Sequence, residues 1–444
     1  DMEASAKRAA ARHDADPVIV VGRVASDQAV DLTLPKTVQM ALDYNRDIKV
    51  AHYALTSSDF DIAIAKAGKM PQVGYTWSGA RKMGQANGRD VIANSFGNSF
   101  SVSIPLYTGG QVENEIANAK LSKTNAQEEM LRVQQATKYS AVEGYYALLA
   151  YQELRDVYHE AVDNLQGHLD NVTAQYNVGT KAKVDVLSSN VSLANSKTTA
   201  VTADNNVAIA ESNLNNILGL PLQTKLNLAD HQLPFDTYDI SLQEAIDYAM
   251  KYRPEVLQAA VAVQEAEHNI GIAQAGNRPS VNIGAGRGWT DDDFPGVDNH
   301  NWSISGGVSW SLWDGGATNA RIKKSKEALL SARETEQKTR EAVQLEVKQA
   351  YLNIRSAAQK VEETTAVIDQ AKENYRIQNI RYQAGVGINL DVLDAQLSLN
   401  EAQVNHIQAL YDYNVGIAKL EQAMGVDVRS GVIHPSLTAT GYKG

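Results

Sequence analysis

The chain repeats its own pattern, and this duplication limits the possible folds more than any other feature. The segment Leu32–Leu42 matches Ile240–Met250, 208 positions on. Gly68–Pro71 matches Gly276–Pro279 at the same spacing, and Pro105–Gly110 matches Ser311–Gly316 at 206. Tyr176, Gly179, Asp185, Val186, Leu187, Ser192 and Leu193 recur as Tyr382, Gly385, Asp391, Val392, Leu393, Ser398 and Leu399. Leu218–Leu220 recurs as Met424–Val426. A period this long is duplication of a structural half, not a solenoid repeat. The expected organisation is an N-terminal extension over 1–30, a first repeat over 31–221 and a linker over 222–239. A second repeat over 240–426 and a C-terminal tail over 427–444 complete it.

Each half has the same order. A helix (about 33–67 and 241–275) precedes two strands (about 70–80 and 96–107, then 278–289 and 301–313). A very long helix follows (about 110–177 and 317–383), then a glycine turn and a returning helix (about 182–218 and 388–424). Only 10 of the 444 residues are proline, and none lies between Leu106 and Leu220 or between Gly296 and His434. An internal proline would break such helices. Ala317 to Ala384 contains neither Gly nor Pro, and at 1.5 Å per residue a helix there runs roughly 100 Å. Its apolar residues recur every seven, at Val347, Ile354, Val361, Ile368, Tyr375 and Tyr382, as do Tyr151, Tyr158, Leu165 and Val172. This is the spacing of a coiled-coil seam, although an ordinary long bundle shows it too.

The strand segments alternate apolar residues with small polar ones. Phe100, Val102, Ile104 and Leu106 interleave with Ser99, Ser101, Ser103 and Pro105. Trp302, Ile304, Gly306, Val308, Trp310 and Leu312 interleave with Ser303, Ser305, Gly307, Ser309 and Ser311. Val73, Tyr75 and Trp77 alternate likewise, as do Val281, Ile283 and Ala285. About 10 residues is the length with which a tilted strand crosses a bilayer. All five Trp (Trp77, Trp289, Trp302, Trp310, Trp313) lie in or beside these segments, and Trp favours membrane interfaces. Half-buried strands of a soluble sandwich alternate too. In lipid, however, four strands leave open edges, so a closed barrel needs several copies; three supply 12 strands. The fold class expected is a mixed α and β membrane protein. The expected form is a trimeric 12-stranded β-barrel, four strands per chain, continued by an α-helical coiled-coil barrel.

Composition narrows the chemistry. With no cysteine, a disulfide scaffold, a thiol nucleophile and a cysteine zinc site are excluded. A net charge of −11 argues against a nucleic-acid partner. No apolar run approaches the 18 residues of a spanning helix. The chain opens with Asp1, so numbering is expected to begin after a processed leader. Gly284, Gly286 and Gly288 resemble a nucleotide loop, but no helix follows. The Asp291–Gly296 run starts like a calcium loop, yet Trp302 stands where that loop requires Glu. The nine His are dispersed, and no catalytic serine, zincin or phosphate-loop motif is present. Neither an enzyme nor a cofactor is expected.

The junctions Ile104–Gly110 and Trp310–Gly316, and the hairpin segments Tyr176–Thr180 and Tyr382–Val386 each followed by Asp-Val-Leu, resemble the TolC-like outer-membrane efflux duct family over roughly 31–426. The resemblance implies a homotrimer with its barrel in outer-membrane lipid and its helices in the periplasm, docked by a periplasmic adaptor protein and an inner-membrane transporter. It implies a passive exit duct for efflux or type I secretion, gated at its periplasmic end. A coiled-coil tether across the periplasm and a free-standing diffusion porin are the alternatives.

The gate expected by this resemblance comprises Asp391, Asp394, Tyr382 and Asp185. Asp391 and Asp394 share one helix face; by resemblance that face lines the tunnel. Asp391 as a helix cap is the plainer alternative. Where relatives carry a basic residue before the Asp pair, Gly387, Ile388 and Asn389 stand here. Lys181 and Lys183 are therefore expected to pair with Asp391 or Asp394 across the closed end; two solvated lysines at a helix start are the alternative. Gly179 and Gly385 form the periplasmic tip turns. The acidic loop Trp289–Asp298 is expected to face outside, solvated.

Overall fold

In the computed structural model the structure describes residues 29–86 and 88–428. The expected terminal segments therefore lie outside the described residues, except for Ala29, Val30, Asp427 and Val428. The chain forms two compact units.

The first unit comprises the sequence up to Ile48, Gln134–Ile246 and the sequence from Glu346. It opens with strand β1 (Val30–Leu32) and helix α1 (Leu34–Tyr44). Thr33 caps α1, its Oγ1 accepting from the Lys36 N–H at 3.3 Å, with Pro35 in the first turn. Helix α2 (Arg46–Ala67) starts here, most of α3 (Gln111–Asn177) follows, and α4 (Lys183–Ile217) returns. β4 (Leu226–Leu228) pairs in parallel with β1, closing a link between sequence-distant segments. Helix α5 (Leu242–Tyr252) begins with a capping box: the Ser241 N–H donates to Glu244 Oε2 at 3.1 Å and the Glu244 N–H to Ser241 Oγ at 3.2 Å. The unit also holds the second part of α7 (Ala317–Gln383) and all of α8 (Asn389–Met424).

The linker between Leu220 and Ile240 is strapped to these helices. Tyr145 Oη donates to Asp230 Oδ2 at 2.6 Å, the Leu233 N–H donates to Glu153 Oε1 at 2.6 Å, and Asn414 Nδ2 donates to the Pro234 carbonyl at 2.8 Å. The heptad positions supply the core. Val347, Ile354, Val361, Leu165, Val172 and Tyr382 are buried, whereas Tyr151 is exposed.

The expected continuous helices at 33–67 and 241–275 are each two helices. Asn45 ends α1, and its Oδ1 then accepts the Asp47 N–H at 2.8 Å to start α2. Arg253 stands before Pro254, a position that disfavours helical backbone, so α5 stops and α6 (Pro254–Ala275) starts.

The second unit comprises Lys49–Val133 and Asp247–Leu345. It holds most of α2, the first part of α3, the end of α5, all of α6, the first part of α7 and a four-stranded antiparallel sheet. The strands are β2 (Gln72–Ala86), β3 (Arg89–Thr108), β5 (Ser280–Asp291) and β6 (Asn299–Ser309), ordered β2-β3-β5-β6. Two lengths differ from expectation. β2 and β3 run past the expected ends because Met83 pairs with Ile92 and Gly84 with Val91, which extends the ladder beyond Arg81. β6 stops at Ser309, so Trp310 and Trp313 lie beyond the strand. There the Trp310 indole N–H donates to the Asn277 carbonyl at 3.1 Å.

Register assigns the faces. Gln72, Gly74, Thr76 and Ser78 stand opposite Ser103, Ser101, Ser99 and Gly97, and Gly284 and Gly286 opposite Ser305 and Ser303. The other face carries Val73 opposite Val102, Tyr75 opposite Phe100, Val281 opposite Val308 and Ala285 opposite Ile304. Successive residues alternate between faces. The apolar face is open: Trp302 is 73% exposed and Ile304 74%. Among the described residues no helix is long and apolar enough to cross a membrane.

The loop after β5 is not free. Phe294 packs edge-on against Phe96 (centroids 5.8 Å) and Trp77 (6.4 Å), and Asn98 Nδ2 donates to the Pro295 carbonyl at 2.9 Å. Its acidic residues are exposed or half-buried, but Phe294 packs on the middle of β2 and β3.

Candidate functional site at the hairpin ends

All the candidate gate residues fall in the first unit, around the turns that join α3 to α4 and α7 to α8. Each long helix ends the same way. The Gly179 N–H donates to the Tyr176 carbonyl at 2.9 Å and the Thr180 N–H to the Gln175 carbonyl at 3.0 Å. The Gly385 and Val386 N–H groups repeat this to Tyr382 and Arg381, both at 3.0 Å. Both glycines are left-handed (φ 81° and 77°), with nothing near a would-be Cβ. Backbone conformation, not space, therefore requires glycine there.

Asp185 and Asp391 do not cap the returning helices. The N-caps are Ala182 and Ile388, neither with a side-chain cap bond. The two acids lie in the first turn, where the helix dipole favours negative charge. Asp391 is half-buried and Asp394 exposed. Among the described residues neither carboxylate has an ion pair within the chain. Lys183 is exposed, and the Lys181 ammonium stands 4.2 Å from the centroid of the Tyr382 ring rather than beside an acid.

Tyr382 is fully buried, packed with Val172 and Val392, and its ring lies 5.0 Å from that of His168. Its hydroxyl has no hydrogen-bond partner. Burial, with a smaller contribution from the Asp185 charge, raises the phenol above its ordinary value.

A residue that sequence reading passed over joins the two hairpins. Asn389, the first residue of α8, is buried. Its Nδ2 donates to the Asp185 carbonyl (3.2 Å) and to Ser188 Oγ (3.0 Å). Its Oδ1 accepts from Ser189 Oγ (3.1 Å) and meets His168 Nε2 at 2.6 Å. A carbonyl only accepts, so the Asp185 contact fixes which end of the amide is nitrogen. Oδ1 therefore faces His168, and His168 carries its proton on Nε2. The Nδ1 lone pair is left buried without a partner. Burial pushes the His168 imidazole below its ordinary value, with Asn389 and Asp185 opposing. Every hydrogen-bonding position of this amide is used, and its partners lie on α3 and α4. The stretch before the Asp pair, which has no basic residue, thus holds a neutral hub. Its signal in the sequence was a polar amide following Ile388, where the other repeat has Lys183.

Among the described residues no three His, Asp or Glu side chains gather as metal ligands. The Trp residues are all in the second unit. Trp77, Trp289 and Trp302 are on the open apolar face of the sheet, and Trp310 and Trp313 follow β6.

The chain matches the family described as outer membrane efflux protein over residues 37–220 and 245–426. The outer membrane efflux protein BepC of Brucella suis is 24% identical over 419 residues, covering 92% of this chain and 89% of the relative. The outer membrane protein TolC of Escherichia coli is 23% identical over 397 residues, covering 83% and 78%. The solved CmeC outer membrane channel of Campylobacter jejuni superposes with a TM-score of 0.77 at 18% identity, over 88% of this chain and 85% of that one. That structural likeness shows a shared, mostly helical fold with a smaller sheet. The repeated hairpin segments, the strand-to-helix junctions and the fold agree with the match along both halves: the chain belongs to the outer membrane efflux protein family, whose members are outer-membrane channels.

Proposed function

We propose that the chain is a passive outer-membrane exit duct, working as a homotrimer with a periplasmic adaptor and an inner-membrane transporter in efflux or type I secretion. The observation that carries this reading is the sheet of the second unit. Its two outer strands, β2 and β6, stand at open edges, one face is small and polar, and the other is apolar and exposed. A single copy in lipid would leave those edges unsatisfied. Three copies, pairing β6 of one with β2 of the next, form a closed 12-stranded barrel with Ser and Gly lining the lumen. The two repeats, 31–221 and 240–426, are then the two halves of one protomer, and their long helices continue the duct into the periplasm.

In this reading the hairpin ends form the constriction. Three-fold symmetry brings three copies each of Asp391 and Asp394 towards one axis. Six carboxylates so placed attract cations. Lys181 and Lys183 pair with a neighbouring copy's carboxylates, since neither lysine does so within its own chain. Gly179 and Gly385 mark the tips where the adaptor docks. Transport needs no catalytic residue here, its energy coming from the inner-membrane partner.

The test is single-channel conductance of the purified protein in a planar bilayer, comparing wild type with D391N/D394N. The expected result is a small, cation-preferring wild-type conductance that grows or loses its preference in the variant. A large conductance indifferent to the substitution would indicate an open porin. A folded protein with no conductance would indicate a tether.

A further inference from the structure

Below the level of Asp291 and Arg81, the outward face of the sheet carries one full charge. On β2 the outward residues are Val73, Tyr75, Trp77 and Gly79. Between Phe96 and Ile104 on β3 they are Phe, Asn, Phe, Val and Ile. On β6 His300, Trp302, Ile304, Gly306 and Val308 face the same way. On β5 the outward set is Val281, Ile283, Ala285, Arg287 and Trp289. From Val281 up to the row of Trp77, Asn98, Trp289 and His300, Arg287 is the sole Asp, Glu, Lys or Arg on this face; Asp291 stands in the next row, opposite Phe96. Arg287 is exposed, and among the described residues it has no acidic partner. In register it lies between Phe100 and Trp302. Its guanidinium carbon stands 5.1 Å from the centroid of the Trp289 ring. Trp289 packs edge-on against Phe100 (6.3 Å), and Phe100 against Tyr75 (4.8 Å). The cation thus rests on a continuous aromatic belt that crosses three strands.

Depth follows from the strand. Arg287 is seven residues beyond Ser280, at the helix-proximal end of β5, and four before Asp291, at the loop end. At about 3.3 Å per residue and a tilt near 40°, it stands about 18 Å up an apolar band about 25 Å tall. The helices lie on the periplasmic side in this family, so Arg287 belongs to the outer half, within reach of the outer headgroups by extension of its side chain. A lone cation facing lipid is costly unless it meets an anion. The protein supplies none on this face at that level; the nearest outward acid, Asp291, stands two rows higher, opposite Phe96. A guanidinium beside an indole, with no acid on it, keeps N–H groups for two-point contact with phosphate.

We propose that Arg287, seated on Trp289 and flanked by Trp302, is a binding site for the phosphate of an outer-leaflet lipid, one per protomer. This rests on the barrel reading, in which this face meets lipid.

The test is native mass spectrometry of the full-length protein in detergent with added bis-phosphorylated lipid A. The comparisons are the same lipid after phosphatase treatment, and inorganic phosphate as competitor. The expected result is a trimer retaining up to three lipids. Retention falls at least tenfold in Arg287→Gln and on dephosphorylation, falls less in Arg287→Lys, and is unchanged in the charge-matched control Lys338→Gln on α7. Equal retention by Arg287→Gln in an intact trimer, or equal retention of the dephosphorylated lipid, overturns the site and leaves the barrel reading standing. Displacement by millimolar inorganic phosphate overturns the commitment to lipid. A wild-type protein that forms no trimer removes the barrel reading and this site with it.

Discussion

Removing the Asn389 amide should release the two hairpins from each other. In Asn389→Ala, four hydrogen bonds are lost: those to His168, Ser189, Ser188 and the Asp185 carbonyl. Each is worth about 1 kcal/mol net, and a buried group left unsatisfied costs about 1–3 kcal/mol. His168 and Ser189 are both buried, so their donors lose a partner that water does not readily replace. Because the four bonds share one side chain, their values do not simply add, and about 3 kcal/mol per protomer is a reasonable total. At 1.4 kcal/mol per factor of ten, that shifts the balance between joined and separated hairpins by about a hundredfold.

Single-channel recording in planar bilayers should show a higher open probability or conductance for Asn389→Ala than for wild type. Thermal unfolding should also begin at a lower temperature. Asn389→Asp is the sharper probe. It keeps an acceptor for His168 but loses the donor to the Asp185 carbonyl and sets oxygen against oxygen. Its opening should fall between the two, and should decrease as His168 becomes protonated. If Asn389→Ala is a folded trimer with wild-type conductance, the hub is structural and the latch reasoning is refuted.

Three further outcomes are expected. Burial depresses His168, so the unfolded chain binds the proton more readily; the stability this group contributes is complete above about pH 6.5 and is lost as pH falls. Wild-type opening should therefore rise between pH 7.5 and 5.5, and His168→Gln should flatten that profile. Gly385→Ala should cost about 1–2 kcal/mol through left-handed backbone alone, read as a lower unfolding midpoint, whereas Gly167→Ala, mid-helix with nothing near its Cβ, should not destabilise. Lys138 and Glu421 form a buried pair at 3.6 Å, with burial pushing the Glu421 carboxyl up to about 7 against the opposing pull of Lys138. The folded state then holds the extra proton between about pH 4.5 and 7, so this group's contribution declines as pH rises through that window. Lys138→Met should cost about 3–5 kcal/mol at pH 8 and much less at pH 5, and equal losses at both would refute the pairing.

Two kinds of feature were readable from sequence because they are local and periodic. Alternation of period two placed Val281, Ile283 and Ala285 on one face, opposite Val308, Gly306 and Ile304. The same alternation explains the errors at strand ends. Arg81, Lys82 and Gly84 interrupt it, so the reading stops near Ser78. The ladder nevertheless continues to Ala86, because backbone pairing with Arg89–Asn94 needs no apolar side chain. Conversely, Trp310 and Leu312 keep the alternation after pairing has ended at Ser309. Proline and glycine located the turns, yet the break at Asn45 has neither. It depends on a side-chain amide serving two helices, with Nδ2 donating to the Ile217 carbonyl far along the chain.

The site was legible only where charge or glycine marked it. Repeat logic drew attention to Asp185, Asp391, Gly179 and Gly385, and the family resemblance, with its missing basic residue, to Lys181 and Lys183. Neither method notices a neutral amide, and the partners of Asn389 lie about 200 residues away. The resemblance suggested that lysines elsewhere stand in for the missing basic residue. In a buried position a cation would have to recover its desolvation cost from an acid, and Asp185 offers the hub only its backbone carbonyl. An amide meets the same need at lower cost: it donates to that carbonyl and accepts from His168 and Ser189 with no net charge to bury. In the proposed duct, a neutral latch leaves one imidazole, His168, as the titratable side chain hydrogen-bonded to the hub. That gives the His168 profile its discriminating value: a transition set by Asp391 and Asp394 would survive His168→Gln, and one set by the hub would not.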